Sequence, residues 1–103
     1  MTRFLAIFKG EIQPAAQPAE VTKGHFDWLR DNADRITDFG GLRLAPDSPF
    51  VGAAWIIQAE SEAQARQLIA GDPYSSAGLW GSVELYIWNA PKAASATPIQ
   101  TNE

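Results

Sequence analysis

His25 is the only histidine in the 103 residues, and an imidazole is the side chain best suited to moving protons near neutral pH. A carboxylate beside it would orient the ring and stabilise its charged form. Asp72 is the acid to consider, because it heads the short segment Asp72-Pro73-Tyr74-Ser75-Ser76. Tyr74, Ser76 and Trp80 sit in or just after the same loop, where a phenol, a hydroxyl and an indole could orient a small ring-bearing ligand. Each residue also has a plainer reading. His25 could be a boundary residue one turn before Leu29 on an amphipathic helix, and Asp72 the N-cap of a Pro73 to Ala77 turn. Aromatic residues at strand entries pack in cores more often than they touch ligands. Residue types alone leave both readings open.

The remaining equipment excludes several chemistries. With no cysteine and a single histidine, a disulfide framework is impossible and a zinc site would have to lean on carboxylates, so no metal is expected. There is no phosphate-cradling glycine loop and no nucleophile elbow, which leaves kinase, dinucleotide and triad-hydrolase readings without support. Proton transfer without a cofactor is the chemistry that remains. The net charge of -4, with no Lys/Arg cluster along the chain, gives no electrostatic footprint for nucleic acid or anionic membrane. The apolar run Phe4-Leu5-Ala6-Ile7-Phe8 is too short to span a bilayer and is followed by no signal-peptide pattern, so a cytoplasmic location is the default expectation.

Hydropathy defines the elements that must position these residues. Arg3 to Lys9 is dense in aromatic and branched side chains and is bounded by Gly10 and the loop-like stretch Gln13 to Pro18, which predicts a first strand and its exit. From Pro18 onward Phe26, Leu29, Ala33 and Ile36 recur at three- and four-residue steps, the pattern of an amphipathic helix. Gly24 interrupts that helix at a cost of about 1 kcal/mol relative to alanine. The helix therefore starts either at Pro18 or later, with Thr22 as its cap.

Thr37 to Leu44, carrying Gly40-Gly41, predicts a weaker strand open to a bulge, and Val51 to Ala59 a stronger one; together they suggest a hairpin. Ser61-Glu62-Ala63-Gln64 matches a capping box, Ala65, Leu68 and Ile69 supply a buried stripe, and Gly71 stands where a left-handed terminating residue is wanted. Asp72-Pro73 opens one further short turn, closed by Gly78. Ser82 to Trp88 then alternates as a final strand. The resulting order is β-α-β-β-α-β, the split βαβ arrangement of an α+β domain spanning residues 1–89. Residues 90–103 turn to Ala, Pro, Ser and Thr without periodicity and read as a disordered tail.

A four-stranded antiparallel sheet with helices on one face should be polar on the other. Here the first strand has Phe4, Ala6 and Phe8 on one face but Leu5 and Ile7 on the other, and the third sets Val51, Ala53, Trp55 and Ile57 against Ala54 and Ile56. Left in water, that second face would be a large apolar patch. Two such sheets packed face to face would bury it symmetrically, so a homodimer is expected, with a higher oligomer left open.

The segment Gly71 to Leu85 contains an aspartate-proline-aromatic triplet, Asp72-Pro73-Tyr74, followed by Ala77-Gly78-Leu79-Trp80 and the strand pair Val83-Glu84. Together with the histidine-led stretch His25-Phe26-Asp27-Trp28-Leu29, it resembles the YCII-related family, over roughly Arg3 to Trp88. The resemblance implies a ferredoxin-like protomer that pairs into a dimeric α+β barrel, with His25 and Asp72 facing a pocket as a catalytic pair. Tyr74, Ser76 and Trp80 would then bind substrate, and Arg43, the one cation on a strand expected near the barrel, could hold a carboxylate or be a solvated strand charge. In this second-strand region the family often carries glycine-proline-leucine, where this chain reads Gly40-Gly41-Leu42. The activity implied is cofactor-free isomerisation or elimination on a small cyclic acid, lactone or phenol, as in YCII-like dehydrochlorination. A non-catalytic binding or accessory module using the same pocket is the alternative.

Overall fold

Alternation fixes the central strand. In β1, Thr2–Lys9, the side chains of Phe4, Ala6 and Phe8 are buried while Leu5 and Ile7 on the opposite face are half-buried. The computed structural model describes residues 1–89, and the tail expectation for 90–103 lies outside the described residues. After a single 3-10 turn at Pro14–Ala16, helix α1 runs over Ala19–Asp31. Pro18 is its N-cap rather than its first residue, and its carbonyl accepts from Val21 and Thr22 N–H. Thr22 lies inside the helix, its hydroxyl free for another task.

The helix ends earlier than its apolar spacing predicted. The side chain of Asn32 donates to Trp28 O at 2.8 Å, and the chain turns over into β2, Ile36–Arg43. Ile36 therefore belongs to a strand, where it pairs with Ile57 and is 2% exposed. Both its apolar character and its β-branch suit that place equally well. Strand β2 pairs antiparallel with β3, Phe50–Ala59, with register shifts between Ile36 and Asp38 and between Leu42 and Arg43.

Helix α2, Glu62–Ala70, starts on a Ser61 side chain that accepts from Gln64 N. The reciprocal half of the capping box is absent. Gln64 Oε1 instead accepts from Glu60 N and from Arg35 Nη1 at 2.8 and 2.7 Å. Gly71 follows in a right-handed conformation, φ -77°, not the left-handed one expected of it. Its missing side chain serves packing: the Trp28 indole occupies the space a Cβ would take, and Trp28 Nε1 donates to Leu68 O at 3.0 Å. The four-residue helix α3, Pro73–Ser76, is capped by Asp72, and Gly78 at φ 70° reverses the chain toward β4, Ser82–Ile87. At that value glycine is the residue that avoids strain.

The sheet order is β2-β3-β1-β4, antiparallel throughout. This is a ferredoxin-like α+β fold. Helices cover one face, where Phe4, Phe8, Trp55 and Ile57 meet Leu29, Leu68 and Ile69 in the core. Burial of each large side chain there contributes about 1.5–3 kcal/mol. The register places Leu5 opposite Ile56 and Tyr86, and Ile7 opposite Ala54, on the other face. Among the described residues no helix covers them, and Leu42, Tyr86 and Trp88 beside them are exposed. Among the described residues no helix is long and apolar enough to cross a membrane.

Candidate active site

Helix α1 and the capped turn of α3 meet because Gly24 has no side chain. A Cβ there would lie 3.1 Å from Cγ of Pro73, closer than two packed carbons sit. That approach explains a glycine inside a helix, and it brings the neighbours of both residues together. His25 Nδ1 is 2.6 Å from Asp72 Oδ1, with His25 6% exposed and Asp72 fully buried.

The carboxylate of Asp72 is surrounded by donors. Oδ1 also accepts from Tyr74 N at 3.2 Å, as an N-cap does, and Oδ2 accepts from Trp80 Nε1 at 3.2 Å. Asp72 thus caps a helix and holds a histidine at once; the two readings of the residue are compatible. Because both oxygens already accept from fixed N–H groups, the proton in the short contact belongs on Nδ1. A neutral His25 then carries its lone pair on Nε2.

Tyr74 lies flat against the imidazole, ring centroids 3.9 Å apart and planes 8° from parallel. Its hydroxyl is 3.0 Å from Thr22 Oγ1, which itself donates to Pro14 O at 3.1 Å. With that donor committed, Thr22 accepts from Tyr74. The phenol therefore acts on His25 by stacking, and its proton is already used. Trp80 stands edge-on to both His25 and Tyr74, at 6.5 and 5.8 Å between centroids.

These rings close one side of a cavity of about 150 Å³, whose other walls are Ile12, Pro14, Phe26, Leu29, Phe39, Gly40, Gly41, Phe50, Gly52, Ala53 and Trp55. Its volume matches one six-membered ring. His25, Tyr74 and Trp80 line it; Ser76 and Arg43 do not. Ser76 is exposed on the solvent side of α3. Arg43 is exposed too, its Nη1 donating to Pro46 O at 2.9 Å and its guanidinium 4.1 Å above the Phe50 ring. Phe50 is clasped in turn by Gln13, whose amide donates to its carbonyl at 2.9 Å and accepts from its N–H at 3.1 Å.

Among the described residues no three His, Cys, Asp or Glu side chains group as metal ligands would. Sequence reasoning missed Thr22, read only as a possible cap, and the wall made by Phe39, the glycine pair and Phe50. Gly24 was the one visible signal, an otherwise costly residue immediately before the histidine.

The profile of the YCII-related domain matches residues 3–89. The chain belongs to the YCII-related family. No curated protein matches its sequence. Its fold is similar to that of 5-chloro-2-hydroxyhydroquinone dehydrochlorinase (TftG) from Burkholderia phenoliruptrix AC1100, solved in complex with 2,5-dihydroxybenzoquinone. The TM-score is 0.74 at 21% identity, covering 88% of this chain and 97% of that one. As a YCII-related protein the chain sets its family segment, Asp72 to Trp80, directly against the histidine of α1.

Proposed function

We propose that this YCII-related protein is a small-molecule enzyme that works without a cofactor, with His25 as general base and acid and Asp72 as the group that fixes its tautomer. One observation carries the reading: the short bond from Nδ1 to a buried carboxylate leaves Nε2 as the available imidazole nitrogen of a residue that lines a ring-sized cavity. In that role Nε2 takes a proton from a bound hydroxyl or activated carbon. It then returns the proton elsewhere on the ring, as in an isomerisation, or keeps it while an anion departs, as in an elimination. Tyr74 and Trp80 hold the pair in place and supply aromatic walls. The similarity in fold to a dehydrochlorinase supports elimination as the first reaction to try.

The working unit in this reading is a homodimer. Leu5, Ile7, Ala54 and Ile56 make an apolar outer sheet face, and a second copy would bury it symmetrically.

The test is turnover of chlorinated and unchlorinated hydroxyhydroquinones, followed by chloride release and by loss of ring absorbance, with the wild type and with His25→Gln. Turnover lost by at least about a hundredfold in the variant is the expected result, as general acid–base groups contribute on that scale. Ligand binding that survives in His25→Gln, with no turnover by the wild type on any ring tried, would instead make the protein a binding module.

A further inference from the structure

Building on the reading that Nε2 meets the ligand, we infer that the cavity selects an uncharged, single-ring molecule with an ionisable hydroxyl and rejects ring carboxylates. Volume is the first consideration, since about 150 Å³ has room for one six-membered ring. Charge is the second. Among the described residues no lysine or arginine lines the cavity. Arg43, which lies over the Phe50 ring outside the lining, is engaged with Pro46 O and the face of Phe50. Tyr74 has no proton to offer because Thr22 takes it.

Of the side chains lining the cavity, His25 is then the polar one left, and with Asp72 on Nδ1 it presents a lone pair. A hydroxyl donates to that lone pair directly. A carboxylate cannot, unless a further proton is first taken up at Nε2; otherwise it adds a second negative charge close to Asp72 among apolar walls, which is costly. The phenol and carboxylate forms of one ring are therefore separated by charge rather than by shape.

The probes are 4-methylphenol and 4-methylbenzoate, titrated near pH 8, where a phenol is still neutral and the acid is ionised. Binding is read by calorimetry and by the nitrogen resonances of the single histidine. We expect the phenol to shift the Nε2 signal and to bind at least about tenfold more tightly than the benzoate. Benzoate binding as tightly while shifting the same signal would overturn the charge selection and leave the Nε2 reading standing. No shift with either probe would overturn both.

Phe39→Lys supplies the converse test. Phe39 pairs with Trp55, lines the cavity and is 44% exposed, so an ammonium placed there sits at the rim with its charge in reach of water. Benzoate affinity should rise by about tenfold in this variant. Unchanged benzoate affinity, in a variant that still binds 4-methylphenol, would mean that shape excludes the acid and would overturn the inference.

Discussion

The Gly24 backbone and the Pro73 ring touch so closely that the missing methyl group of the glycine is what allows α1 and α3 to meet. His25 and Asp72, one residue along from each, inherit their 2.6 Å separation from that contact. In an exposed helix, Gly→Ala would stabilise by about 1 kcal/mol. Gly24→Ala should show no such gain, because Pro73 has to yield by a few tenths of an ångström. Thermal unfolding reads the first effect, and a changed His25 nitrogen spectrum reads the accompanying displacement of the pair. A variant more stable by the full helix increment, with an unaltered spectrum, would separate Gly24 from the site.

Asp72 is the residue whose loss should cost most. Asp72→Ala removes a buried carboxylate that accepts from His25, Tyr74 N and Trp80 Nε1, and should destabilise by about 3–5 kcal/mol in urea unfolding. Asp72→Asn keeps the shape but offers an amide in place of a carboxylate. The balance between Nδ1–H and Nε2–H in the histidine nitrogen spectrum should then move toward the latter, a change that a purely structural cap would not produce.

Thr22→Val tests the relay behind the stacked ring. Its hydroxyl links Tyr74 to Pro14 O, so the substitution leaves both partners short of a hydrogen bond at a cost of about 1–3 kcal/mol. Tyr74→Phe removes one partner and its companion need together and should cost less, about 1 kcal/mol. Equal losses in the two variants would mean that the hydroxyl pair is not what holds the ring.

Ile56→Glu places a charge at the centre of the uncovered sheet face, opposite Leu5. If two copies pair there, light scattering should find the wild type at twice the chain mass and the variant at one chain mass with its fold retained by circular dichroism. A wild type that stays at one chain mass at every concentration would rule out this pairing.

Hydrogen bonds from Lys23 and Arg30 hold the Asp27 carboxyl below its ordinary 3.8. A carboxyl with a depressed folded pKa stabilises the fold above its unfolded pKa, and that contribution is lost as pH falls through the folded value. The group is on the surface, so the effect is small. Unfolding temperatures of the wild type and Asp27→Asn should differ most near neutrality and converge in acid; a gap that widens on acidification would contradict the assigned direction.

The sequence made the element order readable because strands and helices here have clean periods, as in Phe4, Ala6, Phe8 against Leu5, Ile7. Boundaries were less legible where a residue suits two roles. Ile36 fits the spacing of a helix stripe and also a strand, and its pairing with Ile57, distant in sequence, decides it. Gly71 looked like a left-handed terminator because that is a common use of glycine after a helix, whereas its role depends on Trp28, distant in sequence. The same limit applied at the site. His25, Asp72, Tyr74 and Trp80, carried by local motifs, are brought together in space, while Arg43, expected near a ligand, lies against Pro46 and Phe50 outside the cavity lining. Thr22 stayed hidden, since nothing local announces a partner 52 positions away.

Gly40 and Gly41 line the ring-sized cavity and also border a groove on the uncovered side of the sheet, together with Phe39. At Gly40 and Gly41 neither residue brings a side chain of its own to the wall between the two compartments. Engineering either compartment through these positions will therefore disturb its neighbour. A bulkier residue introduced at Gly40 or Gly41 to reshape the ring-sized cavity also alters the outer groove, and a substitution made there to change the groove registers in the cavity.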